Sequence, residues 1–247
     1  MDSVASGRTA RLIGRPSHRL KRRARDFPVL DAPGASPYQG AEPTQVKFGQ
    51  TSRMTDEQIL AEFRAADALL EGHFILSSGL HSSRYLQCAR VLMDPARASR
   101  LASALTAKLP REVRSAIEVV VSPAMGGIIV GHEVGRALGV EAIFLERPTG
   151  TFELRRGFRL KQGQKVLMVE DVVTTGLSSR EAIAAIEEAG GEVIAAAALV
   201  DRSNGEADLG VPFFPLVQLA MPSYPADALP DDLADLPAEK PGSRKVA

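Results

Sequence analysis

A chain of 247 residues, 45% hydrophobic and 24% charged, with 21 glycines and 16 prolines, has the composition of an ordinary globular protein. Its one cysteine, Cys88, excludes a disulfide framework and a cysteine-based zinc centre, and no apolar run approaches the roughly 18 residues that span a bilayer. Formal net charge is zero, but residues 1–53 hold ten Lys/Arg against four Asp/Glu; the remainder is mildly acidic, 20 against 26, which excludes a general nucleic-acid footprint over the body.

Residues 1–53 carry the basic cluster Arg19, Lys21, Arg22, Arg23 and Arg25, then a Pro/Gly/Ser-rich stretch with no sustained apolar period. Such a segment buries too little surface to offset its ordering entropy, so disorder is expected. A dispensable extension ahead of Met54, a targeting segment and a binding arm all stay open for it. Thr55-Asp56-Glu57-Gln58 has the form of a capping box, and Ile59, Leu60, Phe63, Ala66, Leu69 and Leu70 recur at helical spacing, which predicts a helix up to Gly72. Short extended pieces follow near 73–76 and 84–92. Asp94-Pro95 predicts the start of a helix that runs to Leu109. Glu118–Val121 is a β-branched run, and Gly126-Gly127 lead into a helix ending at Gly139. Glu141–Leu145, Lys165–Val169 and Val193–Val200 have the pattern of buried strands; a helix over about 177–189 lies between the last two and stops at Gly190-Gly191. The tail 222–247, rich in Pro and Asp, is expected to be flexible. Strands separated by helices predict an α/β domain over 54–221, with a mainly parallel central sheet flanked by helices.

In such a sheet ligands bind beyond the carboxyl ends of the strands, and three connections there are unusual. Val166–Val169 runs into Glu170-Asp171-Val172-Val173-Thr174-Thr175-Gly176, followed by a helix opening at Leu177-Ser178-Ser179. Adjacent carboxylates call for a cationic or hydroxyl-rich partner, such as a ribose diol, and the turn offers amides, hydroxyls and a helix N-terminus for a phosphate. In Ser122-Pro123-Ala124-Met125-Gly126-Gly127 two glycines let backbone amides approach an anion, while the spacing of a dinucleotide fingerprint is absent. The span 146–164 holds Arg147, Arg155, Arg156, Arg159 and Lys161 against Glu146 and Glu153, a composition suited to a lid over phosphates.

The stretch 166–176 closely resembles the 5-phosphoribosyl 1-pyrophosphate (PRPP) motif of type I phosphoribosyltransferases. Gly72–Gly79 with Ser82-Ser83-Arg84-Tyr85, the lid from Glu146 to Phe158, and Asp201-Arg202-Ser203-Asn204-Gly205 narrow the resemblance to the orotate phosphoribosyltransferases, over about 54–221. It implies the type I phosphoribosyltransferase fold, with a small hood (54–92), a core (93–221) and a mobile lid loop (146–164). It also implies a glycosyltransferase that joins PRPP to orotate. By the same resemblance Glu170 and Asp171 hold the ribose hydroxyls, and Thr174, Thr175 and Gly176 hold the 5′-phosphate. The PRPP-binding stretch extends over Val172, Val173, Leu177 and Ser178, with Met125 and Gly126 in the pyrophosphate loop. Arg147, Arg155, Arg156 and Asp171 are implied to be catalytic, Arg147 also touching PRPP, while Thr174, Arg202 and Tyr85 meet orotate.

Further implications are Mg²⁺ held mainly by PRPP, a homodimer whose lid reaches the neighbouring site, a cytoplasmic location, and no nucleic-acid or membrane partner. The chain departs from the family's best-known branch in three ways. The lid has no lysine before Lys161 and no histidine, Met125-Gly126 stands where that branch has a loop lysine, and Ser77 replaces a hood lysine. His81 and His132 are expected at the surface or in packing, His73 shaping the hood, Cys88 buried, and the Met125 side chain packed. The rival readings are transfer to a different base, such as a purine, and a PRPP-sensing regulator on the same fold.

Overall fold

The computed structural model describes residues 53–76 and 79–240; the basic cluster of the extension, Ser77-Ser78 and residues 241–247 lie outside the described residues. Helix α1, Asp56–Ala65, starts on the expected capping box, with the Gln58 N–H donating to Thr55 Oγ1 and the Thr55 N–H to Gln58 Oε1. It ends earlier than its periodicity predicts. Leu69 and Leu70 open strand β1, Leu69–Ile75, because they pair across to Leu86 and Tyr85 of the antiparallel strand β2, His81–Leu86. The second expected extended piece is likewise corrected: from Cys88 to Leu92 the chain is helix α2, whose Cys88, Val91 and Leu92 are buried.

Helix α3, Pro95–Lys108, begins where Asp94 Oδ1 accepts from the N–H groups of Ala96 and Arg97. After the short helix α4, Arg111–Ala116, the core alternates β3 (Val119–Pro123), α5 (Gly127–Leu138), β4 (Glu141–Glu146), β5 (Glu153–Leu154), β6 (Gln164–Val173), α6 (Leu177–Glu188), β7 (Gly191–Asp201) and β8 (Phe213–Gln218). The sheet order is β5-β4-β3-β6-β7-β8, parallel except for β5 against β4. Strand side chains alternate faces. Leu167 and Val169 of β6 join α3 and α5 in one apolar cluster, while Val166 and Met168 join α6 in the other. Burial on both faces is what makes these strands continuous apolar runs in the sequence.

The tail is a correction. Residues 222–240 do not trail away: β9, Ser223–Tyr224, pairs antiparallel with β2, and β10, Ala238–Glu239, pairs parallel with β1, giving a hood sheet ordered β10-β1-β2-β9. Two strands alone make a marginal sheet, and the tail supplies partners at both edges. Between them α7, Asp231–Ala234, inserts the buried Leu233. Buried His73 donates through Nδ1 to the carbonyl of Leu236, and its Nε2 contacts His81 Nδ1. Leu233→Ala is therefore expected to destabilise the protein by about 2 kcal/mol or more in chemical unfolding, as for other buried leucines; a leucine in a flexible tail would change nothing. No helix among the described residues is long and apolar enough to cross a membrane.

Candidate active site

Strand β6 does not stop at Val169 as its apolar run suggests. Pairing of Glu170 with Ala198, Val172 with Val200 and Val173 with Asp201 carries the ladder through both acids, so Glu170 and Asp171 sit in regular strand and point to opposite faces. Glu170 falls on the α6 side, where it is buried and accepts a hydrogen bond from the hydroxyl of Ser179. Asp171 falls on the α5 side, against the loop after β3: a Cβ placed on Gly126 would lie 2.6 Å from Asp171 Oδ2, so only glycine lets that loop come so close.

Burial pushes the Glu170 carboxyl above its usual range. The Asp171 charge adds to this, while hydrogen bonds from Ser179 and Ser178 and the charge of Arg147 oppose it. Burial raises Asp171 too, against hydrogen bonds from backbone N–H groups. Each of these reluctant anions, on its own face of β6, suits a hydroxyl or cation partner brought by a ligand.

The turn that follows is shaped by Gly176, whose φ of 75° and close approach to Leu209 exclude a larger residue. No side chain caps α6, although the Leu177 N–H reaches Thr175 Oγ1 at 3.4 Å. The exposed Thr174 and Thr175 hydroxyls and the first-turn amides are donors of the kind that suit an anion. Val172 and Val173 pack into the two apolar clusters, and the Val173 carbonyl accepts from the Arg202 N–H, so those two residues contribute backbone rather than side chains. Leu177 and Ser178 are exposed at the helix start.

On the other side of this turn is a cavity of about 740 Å³, lined by Thr174, Thr175, Arg202, Ser203 and Asn204 and by Ala220–Ser223. Asp201 builds its corner. Its Oδ1 accepts from the N–H and hydroxyl of Ser203, and its Oδ2 from the Gly205 N–H and Gln218 Nε2. Arg202 is left facing the cavity with its Nε buried and unpaired among the described residues. Burial pulls its pKa down, the mark of a cation in want of an anion. Cys88 is buried as expected and close enough to feel both Asp171 and Arg202; burial first, then the Asp171 charge, push its thiol up.

Two expectations change here. Tyr85 does not line this cavity: it lies in β2 with its ring 5.8 Å from that of Phe74, and the wall on that side is Ala220–Ser223, which local sequence gave no reason to select. The Met125 side chain does not pack; it is 84% exposed at the tip of the loop. His132 is exposed, and His81 is half-buried on His73.

The lid, expected as a long loop, begins as a hairpin, with Leu154 of β5 paired to Leu145 of β4. Three of its four arginines, Arg147, Arg155 and Arg156, have carboxylate partners. Arg147 bonds Glu181 of α6 and the Gly150 carbonyl and stacks 4.0 Å over Phe152; Arg155 and Arg156 both reach back to Glu146. Nothing in the spacing of the sequence singles out Glu181 or Ser179 as partners, since each acts on a residue of another element.

Residues 94–210 match the family model of the phosphoribosyl transferase domain. The orotate phosphoribosyltransferase of Rhizorhabdus wittichii is 73% identical over 191 residues, covering 77% of this chain and 97% of that protein. The one of Novosphingobium aromaticivorans is 74% identical over 191 residues, 77% of this chain and 98% of its own length. Among solved structures, the orotate phosphoribosyltransferase of Aeropyrum pernix superposes with a TM-score of 0.56 at 26% identity, covering 65% of this chain and 93% of that one.

Proposed function

The chain belongs to the orotate phosphoribosyltransferase family, and on that premise we propose how its own residues share the reaction. The enzyme passes the 5-phosphoribosyl group from PRPP to orotate, a step of pyrimidine biosynthesis that yields orotidine 5′-monophosphate and pyrophosphate. The 5′-phosphate sits in the Thr174-Thr175-Gly176 turn at the start of α6. The ribose hydroxyls donate to Glu170 and Asp171, which stand between that turn and the loop at Gly126. The pyrophosphate lies along the Met125-Gly126 backbone. Orotate occupies the cavity beyond Thr174, its carboxylate paired with Arg202.

The observation that carries this reading is Arg202, its Nε buried without a partner among the described residues, at the wall of a cavity that shares Thr174 and Thr175 with the phosphate turn. Pyrophosphate departs from C1′ with oxocarbenium character, and the already acidic ring N–H of orotate needs no strong base. Catalysis then rests on positioning and on the positive lid covering the departing charge while excluding water.

Mg²⁺ is the cofactor of this proposal, held mainly by PRPP. Among the described residues no three His, Cys, Asp or Glu side chains gather to cage an ion. The Asp171 carboxylate, facing the loop at Gly126, would suit a hard cation that takes its other ligands from water and phosphate; bound there, the ion would neutralise the leaving pyrophosphate. A cytoplasmic homodimer, one lid reaching the neighbouring site, completes the reading.

Loss of orotate absorbance in the presence of PRPP and Mg²⁺ is the direct test. Turnover is expected, lost on chelation with EDTA and restored by added Mg²⁺, from a species of twice the chain mass in sedimentation. A folded protein that binds PRPP but leaves orotate untouched would overturn the assignment.

A further inference from the structure

The three lid arginines that have carboxylate partners are not held equally. Arg147 is fixed by the Glu181 carboxylate, the Gly150 carbonyl and the Phe152 ring. Arg156 bonds Glu146 Oε1 through Nε, lies 5.7 Å over the Phe144 ring, and has a left-handed backbone, φ 56°, ahead of Gly157. Among the described residues Arg155 has one polar side-chain contact, Nη1 to Glu146 Oε2 at 3.2 Å, and is half exposed.

Glu146 itself is largely buried, its side chain 17% exposed, at the end of β4 where the lid begins. A carboxylate so placed cannot lose both cations without being left as an uncompensated charge, a costly state. It can lose one. Exposure does not separate the two, since the Arg155 side chain is 51% and the Arg156 side chain 64% exposed; the cation that leaves at least cost is the one with the longer contact and no aromatic ring beneath it.

We propose that Arg155 is the lid arginine that exchanges Glu146 for the pyrophosphate oxygens of PRPP, while Arg156 stays on Glu146 and Phe144 and keeps the root of the lid folded. Glu146 thereby acts as a positioning residue: it stores Arg155 beside the site and is not stripped of charge when Arg155 departs. A planar guanidinium suits the incoming partner, because it can take two phosphate oxygens at once. Phe158, edge-on to Phe144 at 5.2 Å, packs at the root that Arg156 holds.

The inference rests on the PRPP reading of the site, so its test uses a readout that does not require orotate. Binding of inorganic pyrophosphate with Mg²⁺ to the full chain is measured by calorimetry, beside orotate turnover and thermal melting, for wild type, Arg155→Ala, Arg155→Lys and Arg156→Ala. Arg155→Ala is expected to weaken pyrophosphate binding roughly tenfold or more with an unchanged melting temperature, the loss of a hydrogen bond to a charged group. Arg155→Lys should recover part of this. Arg156→Ala should lower the melting temperature and weaken pyrophosphate by no more than about threefold, less than the effect of losing such a bond. Equal weakening by both alanine variants, a larger effect at Arg156, or no effect at Arg155 overturns the proposal. If wild type fails to turn over orotate yet Arg155→Ala still selectively weakens pyrophosphate, the choice of base fails and the division of the arginines stands.

Discussion

Arg202→Ala should all but abolish use of orotate while leaving PRPP binding near wild type. The guanidinium sits at a cavity wall with its Nε buried and unpaired among the described residues, and burial already pulls its pKa down. Binding a carboxylate there replaces an unsatisfied cation by a charge-assisted pair, and removing the cation strands the orotate carboxylate in a partly dry pocket. Breaking a pair of that kind costs about 3–5 kcal/mol, or roughly 10²- to 10⁴-fold in kcat/KM for orotate. The backbone should tolerate the change, because the turn is built by Asp201 rather than by the Arg202 side chain. Steady-state kinetics with PRPP binding measured in parallel checks this. Equal loss of PRPP affinity would mean that Arg202 supports the phosphate turn instead of the base.

Asp171→Asn should separate stability from activity. The folded protein holds Asp171 above the usual carboxylate range because the group is buried. The folded state therefore keeps a proton that the unfolded chain has already released, and stability falls as pH rises from the ordinary carboxylate range through the raised one, with the full cost present above it. Asparagine removes that cost. Its melting temperature should exceed that of wild type at neutral pH, by roughly 2–4 °C for each kcal/mol relieved, and the difference should vanish in acid. Activity should move the other way, by roughly tenfold to a hundredfold, as a hydrogen bond from a ribose hydroxyl to a charged acceptor is lost. Wild-type activity should rise with pH through the same window as the carboxylates ionise. A variant that loses stability at neutral pH together with activity would show Asp171 to be a structural residue.

The parts of the site that lay open in the sequence are those made by neighbours in the chain. The Thr174-Thr175-Gly176 turn, the glycine pair after β3 and the capped starts of α1 and α3 each depend on a few consecutive residues whose preferences agree. Helical spacing misled at Leu69 and Leu70, because strand partners at Leu86 and Tyr85, seventeen and fifteen residues away, outweighed local periodicity. The polar tail misled for the same reason: its strands are two residues long and exist because β1 and β2 offer open edges.

By itself the amino-acid sequence determined an α/β core with strands buried on both faces, a Thr-Thr-Gly turn at the end of one of them, and an arginine placed just after the next. Apolar runs, caps and glycines act over a turn or a strand, within reach of their own chain neighbours. Only the tertiary structure decided that Glu170 and Asp171 face opposite sides of β6, that Ala220–Ser223 wall the Arg202 cavity, and that Glu146 and Glu181 hold the lid arginines. Each of these depends on which distant segment packs alongside. That is set by the burial of whole faces and the pairing of whole strands, a sum over the domain that no short stretch of sequence contains.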